Sequence, residues 1–140
     1  MIVFLDFDGV LHGIRGPAFD DQCISHLEAC LTAYDAKIVI ISSWKDELPL
    51  EALTPRMGQL GARVIGACAE EPAFTKTPRE YLVDEWLRSH EYEGPWIAVD
   101  DNPAWYGRHE ERVLATSSTT GFVEEDVQRL HALAQTLPES

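Results

Sequence analysis

The sequence predicts an α/β fold, a doubly wound parallel sheet of five strands with helices on both faces. Three observations carry that expectation. Short apolar runs alternate along the chain with stretches whose apolar residues recur at helical spacing. The runs are apolar at successive positions rather than at every second one, as strands buried on both faces are. Three of them, ending at Leu5, Ile41 and Val99, lead directly into Asp6, Ser42 and Asp100. Polar residues at strand C-termini mark the end where such sheets bind ligands.

The elements follow in order. Val3-Phe4-Leu5 opens the chain as a strand, and Gly9 to Phe19 is a loop bearing Gly and Pro. A helix is predicted from about Asp21 to Tyr34, with Ile24, Leu27, Leu31 and Tyr34 as its stripe. Ile38–Ile41 is the second strand, and a helix around Pro49–Leu60, closed by Gly61, follows it. Ala62–Gly66 reads as a short third strand. Thr77-Pro78-Arg79-Glu80 is a capping box with proline at the first helical position, starting a helix to about His90. Ile97–Val99 and Arg112–Thr116 are the fourth and fifth strands. Val123, Val127, Leu130, Ala134 and Leu137 stripe a final helix.

At 140 residues the chain, 1–140, is expected to form one domain with a real core. No stretch approaches the roughly 20 apolar residues of a membrane span. The chain starts directly in its first strand, without the basic and apolar regions of a secretory leader. Cys23 and Cys30 share a helix face, and with Cys68 they show no metal-binding spacing, so core packing is expected. These features predict a cytoplasmic protein. The formal charge of −13 argues against a surface that grips duplex nucleic acid, because it lacks the Lys/Arg field such binding needs. A nucleotide or nucleic-acid end held through a metal remains compatible with it.

The chemistry concentrates at the strand ends. Along an extended strand Phe7 would leave Asp6 and Asp8 on a common side, and Gly9 permits a sharp turn after them. Two carboxylates placed together are costly unless a cation neutralises them, which points to Mg²⁺ and phosphate. Lys76 directly precedes a helix N-terminus, where backbone N–H groups and charge favour an anion. Lys45, just after the second strand, is the competing lysine.

The ordered set of Asp6-Phe7-Asp8, Ser42-Ser43, Lys76 and Asp100-Asp101 resembles the four motifs of the haloacid dehalogenase (HAD) superfamily of phosphotransferases, over nearly the whole chain. Phe4-Leu5-Asp6-Phe7-Asp8-Gly9-Val10-Leu11-His12, with Ser42-Ser43-Trp44 and Val64-Ile65-Gly66-Ala67, resembles the HAD domain found in Swiss-army-knife RNA repair proteins. Val10 departs from the threonine of many superfamily phosphatases and leaves the carboxylates untouched.

The resemblance implies a HAD-like Rossmannoid sheet with the first strand between the second and the fourth. It implies a capless member with an open site, since residues 9–20 and 66–76 are too few for a folded cap. It implies an Mg²⁺-dependent phosphomonoester hydrolase. Asp6 would be the nucleophile that forms an aspartyl-phosphate. Asp8 would be the general acid/base, a role that suits a pKa above that of an isolated aspartate. Mg²⁺ would be held by the Asp6 carboxylate, the Asp8 carbonyl and Asp101 with Asp100 in support, or with those two reversed. Ser42 or Ser43 would donate to the phosphoryl group. The superfamily's lysine precedes the helix leading into the acidic strand, which selects Lys76 over Lys45.

Trp44 could stack on a base or aromatic leaving group, or simply pack in the core or at the rim. His12 and Arg15 lie in the loop where capless relatives contact substrate, and Trp105 and Tyr106 would line the mouth. His26, His90, His109 and His131 read as surface or helix-face residues. The implied partner is a phosphorylated small molecule, a nucleotide or a nucleic-acid end, with no membrane, and a partner protein could close the open site. The competing class is a catalytically weak phospho-ligand-binding or regulatory module that keeps the Mg²⁺ pocket.

Overall fold

Five strands pair in parallel in the order β3-β2-β1-β4-β5: β1 (Ile2–Leu5), β2 (Lys37–Ile40), β3 (Val64–Ala67), β4 (Trp96–Asp100) and β5 (Val113–Ala115). The computed structural model describes residues 1–14 and 19–137. The central strand is β1, as the resemblance implied, with Leu5 opposite Ile40 on one side and Val99 on the other. Strand order reverses there, so the crevice beyond the carboxyl end of β1 is the switch point where α/β sheets bind ligands.

The helices are α1 (Asp21–Thr32), α2 (Leu50–Leu53), α3 (Pro78–Ser89) and α4 (Glu124–Gln135). Side-chain alternation sorts the core into two layers. Val3, Leu5, Ile38, Ile40, Ile97 and Val99 pack with Ile24, Leu27 and Leu31 of α1 and Leu130 of α4. Ile2, Phe4, Val39, Trp96 and Ala98 pack with Leu82, Val83 and Trp86 of α3. Phe4 meets the rings of Trp86 and Trp96 edge-on, at centroid distances of 5.7 and 5.5 Å. With both faces covered, apolar residues at successive strand positions all find a core.

The structure departs from the expected elements in two places. The predicted helix over 49–60 is only α2 followed by a 3-10 segment, Thr54–Arg63, broken at Gly58, whose φ is 57°. Only a residue without Cβ adopts that conformation cheaply, so the glycine inside the predicted helix marks a kink. Pro78 does open α3, but Thr77 makes no side-chain bond to the helix backbone. Its hydroxyl donates instead to Glu80 Oε1 at 2.9 Å, and the Thr77 N–H donates to Thr75 Oγ1. The box motif thus links side chains rather than capping in the ordinary way.

The described residues between β1 and α1, and those between β3 and α3, hold no helix or named strand of a cap. The first of these loops is stitched to the β5–α4 connection. Thr116 Oγ1 donates to the Gly9 carbonyl at 2.6 Å, Phe122 N–H to the Val10 carbonyl at 2.7 Å, and Ile14 N–H to the Thr119 carbonyl at 3.2 Å. Among the described residues no helix is long and apolar enough to cross a membrane.

Candidate active site

The ends of β1 and β4 deliver three carboxylates to one spot. Asp6, Asp100 and Asp101 each offer an oxygen within 4.8 Å of the others. Asp100 is wholly buried and fully engaged: Oδ2 accepts from Arg79 Nη1 at 2.8 Å and from the Tyr106 hydroxyl at 2.7 Å, and Oδ1 accepts from the Asn102 N–H at 3.0 Å. Asp6 is also buried, its Oδ1 3.6 Å from Arg79 Nη1. Asp101 is half-buried and packs against Gly9, whose φ is 75°; a Cβ on Gly9 would collide with the Asp101 carboxylate.

Electrostatics follow from this crowding. Burial, then the Asp100 charge, push the Asp6 carboxyl well above the usual aspartate range, against the pull of Arg79. Burial and Asp100 likewise raise Asp101. Burial, followed by Asp100, raises the Tyr106 phenol and keeps it a donor. Burial opposes the charge on Arg79, but Asp6 and Asp100 more than restore it and hold the guanidinium protonated.

Three carboxylates against one guanidinium leave negative charge in a partly desolvated crevice. A hard divalent cation such as Mg²⁺ fits that donor set, because carboxylate oxygens suit it and its charge would offset the burial and the repulsion that together raise Asp6 and Asp101.

Asp8 stands apart from the cluster, with its side chain 58% exposed. The Trp44 indole N–H donates to its two oxygens at 3.1 and 3.2 Å, and His12 Nε2 lies 2.8 Å from Oδ1. The other His12 nitrogen faces the Gly13 carbonyl at 3.0 Å, so a doubly protonated ring satisfies both acceptors. Burial disfavours that charge, yet the bonds to Asp8 and Gly13 outweigh it and raise the His12 pKa.

Asp6, Asp8, Ser43, Arg79, Asp101, Asn102 and Trp105 line one cleft of about 320 Å³. Among the two serines, Ser43 is exposed and borders the cleft; Ser42 is buried, its Oγ accepting the Trp44 N–H at 3.3 Å. The structure does not bring Lys76 to the cluster: it is exposed and forms no ion pair among the described residues. Lys45 is turned to Asp46 at 3.0 Å. Arg79 takes the inward position, with Trp105 stacked 5.3 Å from its guanidinium carbon. Sequence reasoning missed Arg79, although it sits on the buried stripe of α3 with Leu82, Val83 and Trp86. An arginine on an apolar stripe, in the first turn of a helix at the ligand end of the sheet, was the available signal. Arg15 lies outside the described residues.

No curated protein and no solved structure gives a significant match to the chain. The family model of the HAD domain in Swiss Army Knife RNA repair proteins matches residues 2–127, which span β1 through the first turn of α4 and every acidic residue of the cleft. The chain therefore belongs to this family of HAD domains.

Proposed function

We propose that the protein is an Mg²⁺-dependent phosphomonoester hydrolase that works through an aspartyl-phosphate on Asp6. The observation that carries this reading is the division of labour between two neighbouring carboxylates. Asp6 is buried beside Arg79 and the other acids, whereas Asp8 is open and held at the cleft's other wall by Trp44 and His12. In the first step an Asp6 oxygen forms a bond to phosphorus as the bond to the leaving oxygen breaks, and the hydrogen-bonded His12–Asp8 pair gives that oxygen its proton through Asp8. In the second, Asp8 takes a proton from water, the water oxygen bonds to phosphorus, and the bond between phosphorus and the Asp6 oxygen breaks.

Asp6 and Asp101, with Asp100 behind them, would hold the cation. When bound, it offsets the charge of the nucleophile and the phosphoryl oxygens. Arg79 supports Asp100 and adds positive charge to the cleft, the part first assigned to Lys76. Ser43, on the cleft rim, is the hydroxyl better placed to meet the phosphoryl group.

The family's association with RNA repair supports nucleotide or nucleic-acid-end phosphates as substrates. The charge of −13 supports substrates gripped at one terminal phosphate rather than along a duplex. Hydrolysis of p-nitrophenyl phosphate with Mg²⁺ tests the mechanism. Asp6→Asn should abolish turnover. Asp8→Asn should still form trapped phosphoenzyme from this good leaving group while its hydrolysis slows, by the roughly 10²–10⁴-fold typical of general acid/base catalysis. Wild-type turnover by Asp6→Asn would overturn the covalent assignment.

A further inference from the structure

A second cleft, of about 530 Å³, adjoins the first and is lined by Asp8, Ser43, Trp44, Glu47 and Leu48. Asp8 and Ser43 border both. The group that gives its proton to the leaving oxygen therefore stands between the chamber that holds the phosphoryl group and a separate space beyond it. A leaving group bonded to that oxygen has to extend past Asp8, and this cleft is the space on that side. Its volume falls within the roughly 300–1,000 Å³ usual for small-molecule sites.

The lining defines what fits. Trp44 and Leu48 offer an aromatic and an aliphatic surface against which a planar ring can pack. Trp44 is fixed there, since its ring packs edge-on against Phe7 and Phe19, at centroid distances of 6.3 and 5.1 Å, and its N–H is engaged by Asp8. Ser43 and exposed Glu47 supply oxygen acceptors suited to sugar hydroxyls. Glu47 also opposes a second anion, because like charges repel, and more strongly near a protein surface than in bulk water.

We infer that this cleft is the leaving-group seat and that it takes an uncharged nucleoside, discriminating against a leaving group that carries a second phosphate. The inference rests on the phosphatase reading above and narrows it. Mononucleotides become the preferred class. A terminal nucleotide whose other hydroxyl continues into a phosphodiester is disfavoured.

The test compares kcat/KM for adenosine 5′-monophosphate, ribose 5-phosphate and adenosine 3′,5′-bisphosphate, with p-nitrophenyl phosphate reporting the chemistry itself. Whichever phosphate of the bisphosphate is transferred, the other stays on the leaving group. The monophosphate should exceed both other nucleoside and sugar substrates by about tenfold, and Glu47→Lys should raise the bisphosphate-to-monophosphate ratio by at least about tenfold. Glu47 is exposed, and a thermal melt confirms that the variant folds. A ratio unchanged by Glu47→Lys, or equal turnover of ribose 5-phosphate and the monophosphate, would overturn the inference.

A binding readout separates this from the phosphatase reading. Adenosine alone, titrated to its solubility limit, should shift the Trp44 indole N–H resonance in an NMR spectrum and leave those of buried Trp86 and Trp96 in place. An unmoved Trp44 signal overturns the seat even if phosphatase activity is present. A shifted signal without hydrolysis of any phosphate ester overturns the phosphatase reading and the leaving-group role with it, and leaves a nucleoside-binding cleft alone.

Discussion

Arg79 Nη1 stands 2.8 Å from Asp100 Oδ2 and 3.6 Å from Asp6 Oδ1, so the buried guanidinium is committed to the carboxylate behind the cleft and only loosely to the one that faces it. Asp6 thus keeps lone pairs free while still feeling a positive charge. Removing Arg79 leaves buried carboxylates with less compensation. Arg79→Met is expected to cost about 3–5 kcal/mol in urea denaturation, the range for breaking a buried ion pair from one side. Arg79→Lys should fall between, because it keeps the charge and loses the planar fork.

Tyr106→Phe isolates a single bond. The phenol is wholly buried and donates to Asp100 at 2.7 Å. The substitution removes the hydroxyl and little else, so a loss of about 1–3 kcal/mol is expected from equilibrium denaturation, the cost of leaving one buried acceptor short.

Gly9→Ala strikes the turn on two counts. A φ of 75° disfavours any L side chain by about 1–2 kcal/mol, and the new methyl would displace the Asp101 carboxylate. Thermal melts with and without Mg²⁺ should show a lower Tm and little of the Mg²⁺-induced rise expected for the wild type.

Acid should dissolve one tie away from the cleft. The Glu80 carboxylate accepts the Arg108 N–H at 3.1 Å and the Thr77 hydroxyl at 2.9 Å, and it pairs with the Arg108 guanidinium at 2.9 Å. The Arg108 N–H, the Thr77 hydroxyl and the Arg108 charge hold its pKa below the ordinary value of 4.5. A depressed folded-state pKa stabilises fully above the unfolded value and is lost as pH falls through the folded one. The stability difference between wild type and Glu80→Gln, read as urea midpoints, should be constant near neutrality and shrink only below 4.5.

Much of this was legible along the chain, for reasons that differ by residue. β1, β2 and β4 announced themselves because strands covered on both faces need apolar side chains at successive positions, a pattern few other elements share. Asp6 and the Asp100-Asp101 pair stood out because acids directly after such strands have nowhere apolar to go. Arg79 did not, since Lys76 beside the helix start drew the same electrostatic argument. The choice turns on which side of the first helical turn faces the sheet, a matter of packing rather than of charge. The grip of Trp44 and His12 on Asp8 was out of reach for another reason. It depends on how closely the loops after β1 and β2 approach, and no periodicity encodes that distance.

The bond from Thr116 to the Gly9 carbonyl joins residues 107 positions apart, and the Val10 and Thr119 ties span a similar stretch. Contacts so distant in sequence form late, because the intervening chain has to be ordered or looped out first. During synthesis β1 precedes every other element of the sheet, yet the loop after it completes its hydrogen bonds only with the segment after β5. Fixing the turn after β1 therefore requires the chain from Gly9 to Thr116 to be in place. A nascent chain halted before residue 116 carries Asp6 and Asp8 without the bond that ties down the turn beside them.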